Sequence, residues 1–380
     1  MRVLAFGTYE KNYPRNRIAI DGLRCAGIEV DLCHEPVWEI AVHKSGRALS
    51  VRGLLRWAWV YLRAALRLLR RARAKQFDCV LVGYPAHADM LLARLVAGKR
   101  PIIFNPLVSL YDTLVVDRQR FAAGGIAARA VRFLDRTAFG IADRIVIDTD
   151  THARWLEQDL GIGKRKLSVV PVGAEEIFEP LADVVPPVDP FSVLFYGKLI
   201  PLHGIETVLD AAELIELNEQ KGPSICIRVV GTGQLGSWLD AELERRRLST
   251  VERVPWIEYE SLPRALCTAH LALGIFGTSD KAQRVIPNKA YQALACGTPL
   301  ITADTFAARE LLSDGENALL VKAGDAEALA SAVLRLWADE ALRIGIGVAG
   351  RELFKRRCSV DQIGKELATV CELAKAESVG

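Results

Sequence analysis

The chain has 380 residues, 51% hydrophobic and 25% charged, a balance that allows two buried cores and excludes disorder as the main theme. A formal net charge of +3 is too small to argue for nucleic acid. The eight cysteines stand apart, with no Cys-x-x-Cys pair, and read as buried free thiols in a reducing compartment, not as a disulfide or zinc framework.

Along the chain, short apolar runs alternate with amphipathic stretches. MRVLAFG holds five apolar residues before Gly7, too few for a signal peptide. No uncharged run reaches the ~18 residues of a membrane span, so a cytoplasmic protein is expected. Runs at 2–6, 28–33, 78–82, 101–105, 144–147 and 167–171 read as strands buried on both faces, hence parallel ones. The loop FGTYEKNYPRNR after the first run carries Tyr9, Arg15 and Asn16, which suit a polar ligand or a plain surface turn. From Lys44 to Lys75 stand ten basic residues and no acid. Arg52, Arg56, Arg63, Arg67 and Arg70 share one helical face; Leu55, Trp59, Leu62, Leu66 and Leu69 take another. A helix over 52–70 then either lies on an anionic membrane surface or packs its apolar face on the sheet with arginines in solvent. His87, after the third run, is either a ligand contact or a merely satisfied histidine, and Asp112 follows the fourth. Asp-Thr-Asp at 148–150 invites a metal reading. Two carboxylates make no cage, however, and a place between strand and helix suits a capping turn, so no metal is expected.

Four prolines punctuate EPLADVVPPVDPF at 179–191, the best domain boundary in the chain. Domains over 1–184 and 185–359 are expected, with a final helix over 360–377 returning to the first. Runs at 192–196, 225–230, 270–275, 300–303 and 318–321, with helical patterns at 205–217 and 325–337, repeat the βαβ alternation. The fold expected is α/β, two Rossmann-like doubly wound domains facing a central cleft, with ligands beyond the carboxyl ends of strands. After 192–196 comes GKLIPLHGIETVLDAA, where Gly197 permits close backbone approach and Lys198 adds a charge. After 225–230 comes GTGQLGSWL, with Gly231 and Gly233. Such turns aim N–H groups and positive helix ends at an anion, although glycines also serve turning alone. VIPNKAYQALACGTPLI at 285–301 predicts a short helix capped by Asn288 and closed by Gly297. Lys289 in its first turn is unfavourable against the helix dipole, unless an anion, or simple solvent exposure, offsets it.

FYGKLIPLHGIETVLDAA, GTGQL and IPNKAYQALACGTPLITADTFAARELLSDGENALLVKAGDAEALASAVLRL resemble the donor motifs of glycosyltransferase family 4, retaining enzymes of the GT-B fold. The likeness covers nearly all of the chain and is sharpest in its second half. It implies sugar transfer from a nucleotide-sugar donor to a glycan, lipid-linked or small-molecule acceptor, with retention and with neither metal nor other cofactor. It implies donor contacts at Gly197, His203, Gly231, Gly233, Arg284, Pro287, Asn288 and Gln292, with Lys198 and Lys289 stabilising the departing diphosphate. Within that frame Asp112 is the expected contact to acceptor or transferring sugar, and Tyr9, Arg15, Asn16 and His87 the expected acceptor contacts. Where the family carries two glutamates eight residues apart, this chain has Arg284 and Gln292; a branch with a Pro-Asn-Lys start matches Pro287-Asn288-Lys289. His203 replaces a common lysine, and a bound diphosphate should raise its pKa. Gln292→Glu should be tolerated. Loss of both glutamates leaves open a catalytically weak nucleotide-sugar or glycan binder, and a GT-B sugar-nucleotide epimerase also stays open. The expected location is cytoplasmic, reaching the inner membrane face through the 52–70 helix.

Overall fold

A computed structural model describes residues 1–37, 51–118, 120–218 and 224–379. Lys44 and Arg47 of the basic stretch lie outside them, as do the side chains of Arg52 and Leu55. The chain divides into two compact units, Met1–Val172 with Val360–Gly380, and Gly173–Ser359.

In the first unit, β1 (Arg2–Gly7), β2 (Glu29–His34), β3 (Cys79–Val82), β4 (Ile102–Phe104), β5 (Arg144–Ile147) and β6 (Leu167–Val169) align as β2-β1-β3-β4-β5-β6. Every pairing is parallel, and Val3 stands level with both Val30 and Cys79. These strands are short runs of Val, Ile, Leu and Phe because helices cover both faces. On one face lie α2 (Val51–Ala72), α3 (Met90–Ala97), α4 (Ile126–Ile141) and α5 (Asp150–Leu160); their Leu68, Ala93, Phe139 and Leu156 pack with Phe6, Val80 and Phe104. On the other lie α1 (Pro14–Cys25) and α12 (Val360–Val379), whose Ile18, Leu23, Ile363 and Leu367 pack with Val3, Leu81 and Ile103.

α2 turns Ala64, Ala65, Leu68 and Ala72 inward and leaves Trp59, Leu62 and Leu66 exposed. The apolar face expected to pack on the sheet is therefore not the one that packs. Small side chains let the helix approach closely, and size alone is a poor guide to the buried face.

The second unit holds β7 (Phe191–Tyr196), β8 (Ile225–Val230), β9 (Val251–Val254), β10 (Leu271–Leu273), β11 (Leu300–Asp304) and β12 (Leu319–Lys322), ordered β12-β11-β10-β7-β8-β9 and again fully parallel. Helices α6 (Ile205–Asn218), α7 (Gly236–Arg246), α8 (Leu262–Cys267), α9 (Asn288–Cys296), α10 (Ala326–Ala338) and α11 (Glu340–Arg357) complete it. β9 is absent from the expected strands because Glu252 and Arg253 interrupt its apolar pattern; at the sheet edge Glu252 pairs with Arg228 at 2.8 Å. The break between units falls at Val172 and Gly173, ahead of the proline-rich join. Residues 173–179 stay with the second unit because Tyr259 donates to the Glu175 carboxylate, Phe178 meets the Tyr259 ring edge-on at 5.6 Å, and the Cys267 thiol bonds the Glu179 carbonyl. None of the eight cysteines forms a disulfide, and five of them are buried.

α1 and α12 cross at Gly22 and Gly364. A β-carbon on Gly364 would stand 1.9 Å from the Gly22 carbonyl oxygen, so only glycine permits the approach. We expect Gly364→Ala to cost about 1–3 kcal/mol in denaturant unfolding. Gly140→Ala in α4, where a β-carbon meets nothing, should be neutral or stabilising. Equal unfolding midpoints for the two variants would contradict the crossing.

Candidate active site

In the second sheet the strand order reverses between β7 and β10, and loops leaving such a point open a crevice. The loop after β7 is held by backbone bonds: Gly197 N–H to Val230 at 3.0 Å, Leu199 N–H to Thr232 at 3.0 Å, and Phe276 N–H to His203 at 3.1 Å. Gly231, at φ +137°, lies so close that a β-carbon there would stand 1.9 Å from the Gly197 oxygen. The glycine turn at 231–233 and the 197–199 loop thus form one backbone cradle that any larger residue would break.

The loop after β10 leads into α9. Pro287 occupies its N-cap position with extended backbone angles, and no side chain caps the helix. Asn288 is the first helical residue and not the cap, which corrects the expectation. The first N–H groups of α9 accordingly lack a side-chain partner and suit an anion. Gly297, at φ +70°, closes the helix.

Lys289 does not stand on a surface helix, because Lys289 through Cys296 are all buried. Its Nζ has no hydrogen-bond partner and sits 3.9 Å over the centre of the Phe195 ring. A desolvated cation–π contact contributes about 2 kcal/mol, less than the hydration an ammonium gives up, and burial draws the pKa of Lys289 down to about 7. His203 is its neighbour: a β-carbon on Gly197 would meet His203 Cε1 at 3.2 Å and Lys289 Cε at 3.7 Å. Burial first, then Lys289 and Lys198, hold the His203 imidazole well below its ordinary range, against a hydrogen bond to the Lys198 backbone. In the ligand-free site the direction is therefore opposite to the one expected beside a diphosphate. Exposed Lys198, His203 and Lys289 form a group of basic side chains that an incoming anion would charge.

Gln292 behaves differently from the expected ribose contact. Tyr196 donates to its Oε1 at 2.8 Å, its Nε2 donates to the Tyr259 hydroxyl at 3.1 Å, and Tyr259 donates to Glu175. Both ends of the amide are engaged by tyrosines, Tyr196 buried and Tyr259 half-buried. Phe195 and Tyr196, directly before Gly197, occupy a strand end that could have flagged them. Glu175 and Tyr259 come from separate loops, and no spacing links them to Gln292. Arg284 is buried in the loop before α9, its N–H bonded to the Lys281 carbonyl at 3.0 Å.

In the first unit, several expected acceptor contacts turn out to brace the chain itself. Arg15 donates to Asn105 Oδ1 at 2.8 Å and to the Val170 and Pro171 carbonyls at 3.0 and 2.6 Å. Asn16 donates to the Glu10 and Tyr84 carbonyls and accepts the Tyr84 N–H at 3.0 Å. His87 is buried against Phe104 and Phe139, with Nε2 at 3.2 Å from the Val108 carbonyl. Burial holds its pKa below the usual value. Tyr9 is buried beside His34. These positions correct Arg15, Asn16 and His87 from ligand contacts to braces of the loops at the carboxyl end of the sheet. Asp112 is buried at the start of a π-helical turn, Asp112–Asp117, with its N–H held at 3.0 Å by Ser109, which donates to Asp135 at 2.6 Å. At 148–150, Thr149 caps α5 by accepting the His152 N–H at 3.0 Å, and Asp148 bonds His152 Nδ1 at 2.7 Å. Among the described residues no cluster of three His, Cys, Asp or Glu is placed to hold a metal ion. A cavity of about 730 Å³ opens at the amino ends of the second sheet's strands, beside Ser224, His270 and Pro299; none of the donor candidates lines it.

Residues 6–173 match the glycosyl transferase 4-like domain, and residues 190–339 match glycosyl transferases group 1. The chain belongs to the family-4-like glycosyltransferases of GT-B fold. The chain is similar to D-inositol 3-phosphate glycosyltransferase of Nocardiopsis dassonvillei, 26% identical over 221 residues, 56% of this chain and 51% of that protein. It is likewise similar to the capsular polysaccharide biosynthesis glycosyltransferase CapM of Staphylococcus aureus, 26% identical over 192 residues, 50% of this chain and 48% of that one. The chain spans about half the length of these two curated relatives. Its fold is that of sucrose-phosphate synthase from Thermosynechococcus elongatus, at TM-score 0.73, 17% identity and 99% and 100% coverage. Anabaena HepE in complex with UDP-glucose shares it at TM-score 0.70, 15% identity and 98% and 100% coverage.

Two expectations follow. Between pH about 7 and the ordinary lysine value near 10.4, the unfolded chain binds a proton at Lys289 that the folded chain lacks. Stability contributed there rises with pH through that window, and the burial cost is complete below it. Lys289→Met should therefore raise the ligand-free thermal midpoint at pH 7 by several degrees, with a smaller gain near pH 10. An unchanged or lowered midpoint contradicts an unpartnered ammonium. Gln292→Glu, by contrast, would set a second carboxylate on Tyr259, whose one proton already goes to Glu175. We expect a loss of about 1–3 kcal/mol, largely restored by adding Glu175→Gln; a double-mutant cycle without coupling would refute the chain of bonds.

Proposed function

We propose that the chain is a retaining glycosyltransferase that moves a sugar from a nucleotide-sugar donor to a glycan, lipid-linked or small-molecule acceptor. The observation that carries this reading is Lys289, buried without an anionic partner at the uncapped start of α9, beside Lys198, His203 and the glycine cradle. A departing nucleoside diphosphate develops negative charge, and fixed cations with free helix N–H groups lower the barrier to its departure. Gly197, His203, Gly231, Gly233, Arg284, Pro287 and Asn288 are assigned to the donor, Lys198 and Lys289 to the leaving group, and Asp112 to the sugar or acceptor. These cations answer the diphosphate charge without a metal. Retention rests on the family resemblance. The complexes of HepE with UDP and UDP-glucose make UDP-sugars the first donors to try. CapM and the inositol-phosphate relatives favour polysaccharide or glycoconjugate synthesis.

One observation favours a second reading. Gln292 is neutral and engaged by two tyrosines where the family carries a carboxylate, as expected of a nucleotide-sugar binder with little turnover.

Incubation of purified protein with UDP-sugars separates the two. Release of UDP, with Lys289→Ala lowering kcat/KM by about 10²–10³-fold and circular dichroism unchanged, supports transfer. Binding without release supports the second reading. A new sugar nucleotide without acceptor indicates epimerisation, and neither binding nor release removes the site. Binding also has a proton signature. A diphosphate should recharge Lys289, so calorimetry of UDP in two buffers at pH 8 should show uptake of about one proton; no uptake would detach Lys289 from the phosphates.

A further inference from the structure

α2, α3 and α4 lie side by side over one face of the first sheet, α2 against α3 and α3 against α4. Each sends small residues inward, among them Ala65, Ala93 and Ala138. Large apolar residues are left outside: Trp59, Leu62, Leu66, Leu95, Ile126 and Phe133 are exposed by fractions from 49% at Leu66 to 87% at Ile126. Monomeric proteins seldom leave so many large apolar side chains together in water.

The same layer is strongly cationic. Arg56, Arg63, Arg70, Arg129, Arg132 and Arg136 are exposed and have no carboxylate partner among the described residues. The three helices contain a single acid, Asp135, and it is fully buried. Arg63 lies over the Trp59 ring at 4.8 Å, joining the two characters in one place. Arg67 and Arg71 are engaged elsewhere: they pair with Glu35 at 3.1 and 2.8 Å and tie α2 to the end of β2. On its inner side Tyr61 donates to Asp89 at 2.8 Å, and Asp89 accepts the Thr8 N–H and hydroxyl at 2.5 and 2.9 Å. α2 is thereby fastened to the loop after β1.

We propose that the outer face of α2, α3 and α4 docks on an anionic lipid bilayer. Guanidinium groups meet the headgroups while Trp59, Leu62, Leu66, Ile126 and Phe133 enter the boundary beneath them. Nucleic acid would answer the charge and leave the apolar residues in water. No described helix is long and apolar enough to cross a membrane, so the helices lie on the bilayer. The docking stands whether or not the protein transfers sugar.

Flotation with phosphatidylcholine vesicles, with and without about one-third phosphatidylserine, tests it. The full chain should float with the anionic vesicles at low salt. Arg63→Gln, Arg70→Gln, Arg129→Gln and Arg136→Gln together should weaken binding by several hundred-fold, about 5-fold per arginine. Ile126→Ser with Phe133→Ser should reduce binding at low and high salt alike. Circular dichroism and thermal midpoints should match wild type in both variants. Wild-type protein that ignores anionic vesicles overturns the proposal. So does a dimer that Phe133→Ser dissolves with no vesicle binding, or a preference for nucleic acid over vesicles.

Discussion

A primary ammonium with a phenyl ring and no carboxylate beside it is the constraint around which the second unit is arranged. Lys289 can be buried only because α9 is buried along its length and because Phe195, the last residue but one of the central strand, lies beneath it. The glycines at 197, 231 and 233 belong to the same arrangement, since a β-carbon on any of them would collide with a neighbouring loop or crowd His203. A core that tolerates such a charge must be stable elsewhere, and Val193, Leu271 and Ile301, packed with Val208 on one face of the sheet, supply that. Local rules broken at one place and kept everywhere else mark a site that stability alone would not have produced.

The polar chain running from Glu175 through Tyr259 and Gln292 to Tyr196 shows how a neutral side chain is accommodated on α9. A carboxylate does reach this region, from the segment entering the second unit, and the tyrosine hydroxyl between it and the amide sets the direction of every bond. Each donor has one acceptor, so the orientation of the Gln292 amide is determined by its surroundings. The first unit uses buried polar groups in the same manner. Arg15 and Asn16 satisfy backbone carbonyls where strands give way to loops, which gives those loops a single shape.

Much of this was legible in the chain. Apolar runs marked eleven of the twelve strands among the described residues because both sheets are covered on two faces, leaving Val, Ile and Leu little competition. β9 escaped because an edge strand admits Glu252 and Arg253. The glycine turns and the Pro-Asn-Lys helix start were readable, since backbone proximity requires particular residues at particular spacings. The partners of Gln292 were not, because contacts between distant loops leave no periodic trace. Arg15, Asn16 and His87 showed the reverse difficulty: a polar residue at a strand's carboxyl end looks alike in sequence whether it faces a ligand or its own backbone. The inner face of α2 was hidden because alanines made the close contact.

The crossing of α1 and α12 has a consequence for biosynthesis. One face of the first sheet is completed by a helix that leaves the ribosome only after all of Gly173–Ser359 has been made. At ~5–20 residues per second that interval is on the order of tens of seconds. The second unit is continuous in sequence and can close during this time. The first must meanwhile hold Ile18, Leu23 and the sheet beneath them partly uncovered, in contact with whatever chaperones attend the nascent chain. Translation therefore imposes an order on the two units, with the later-made one finished first.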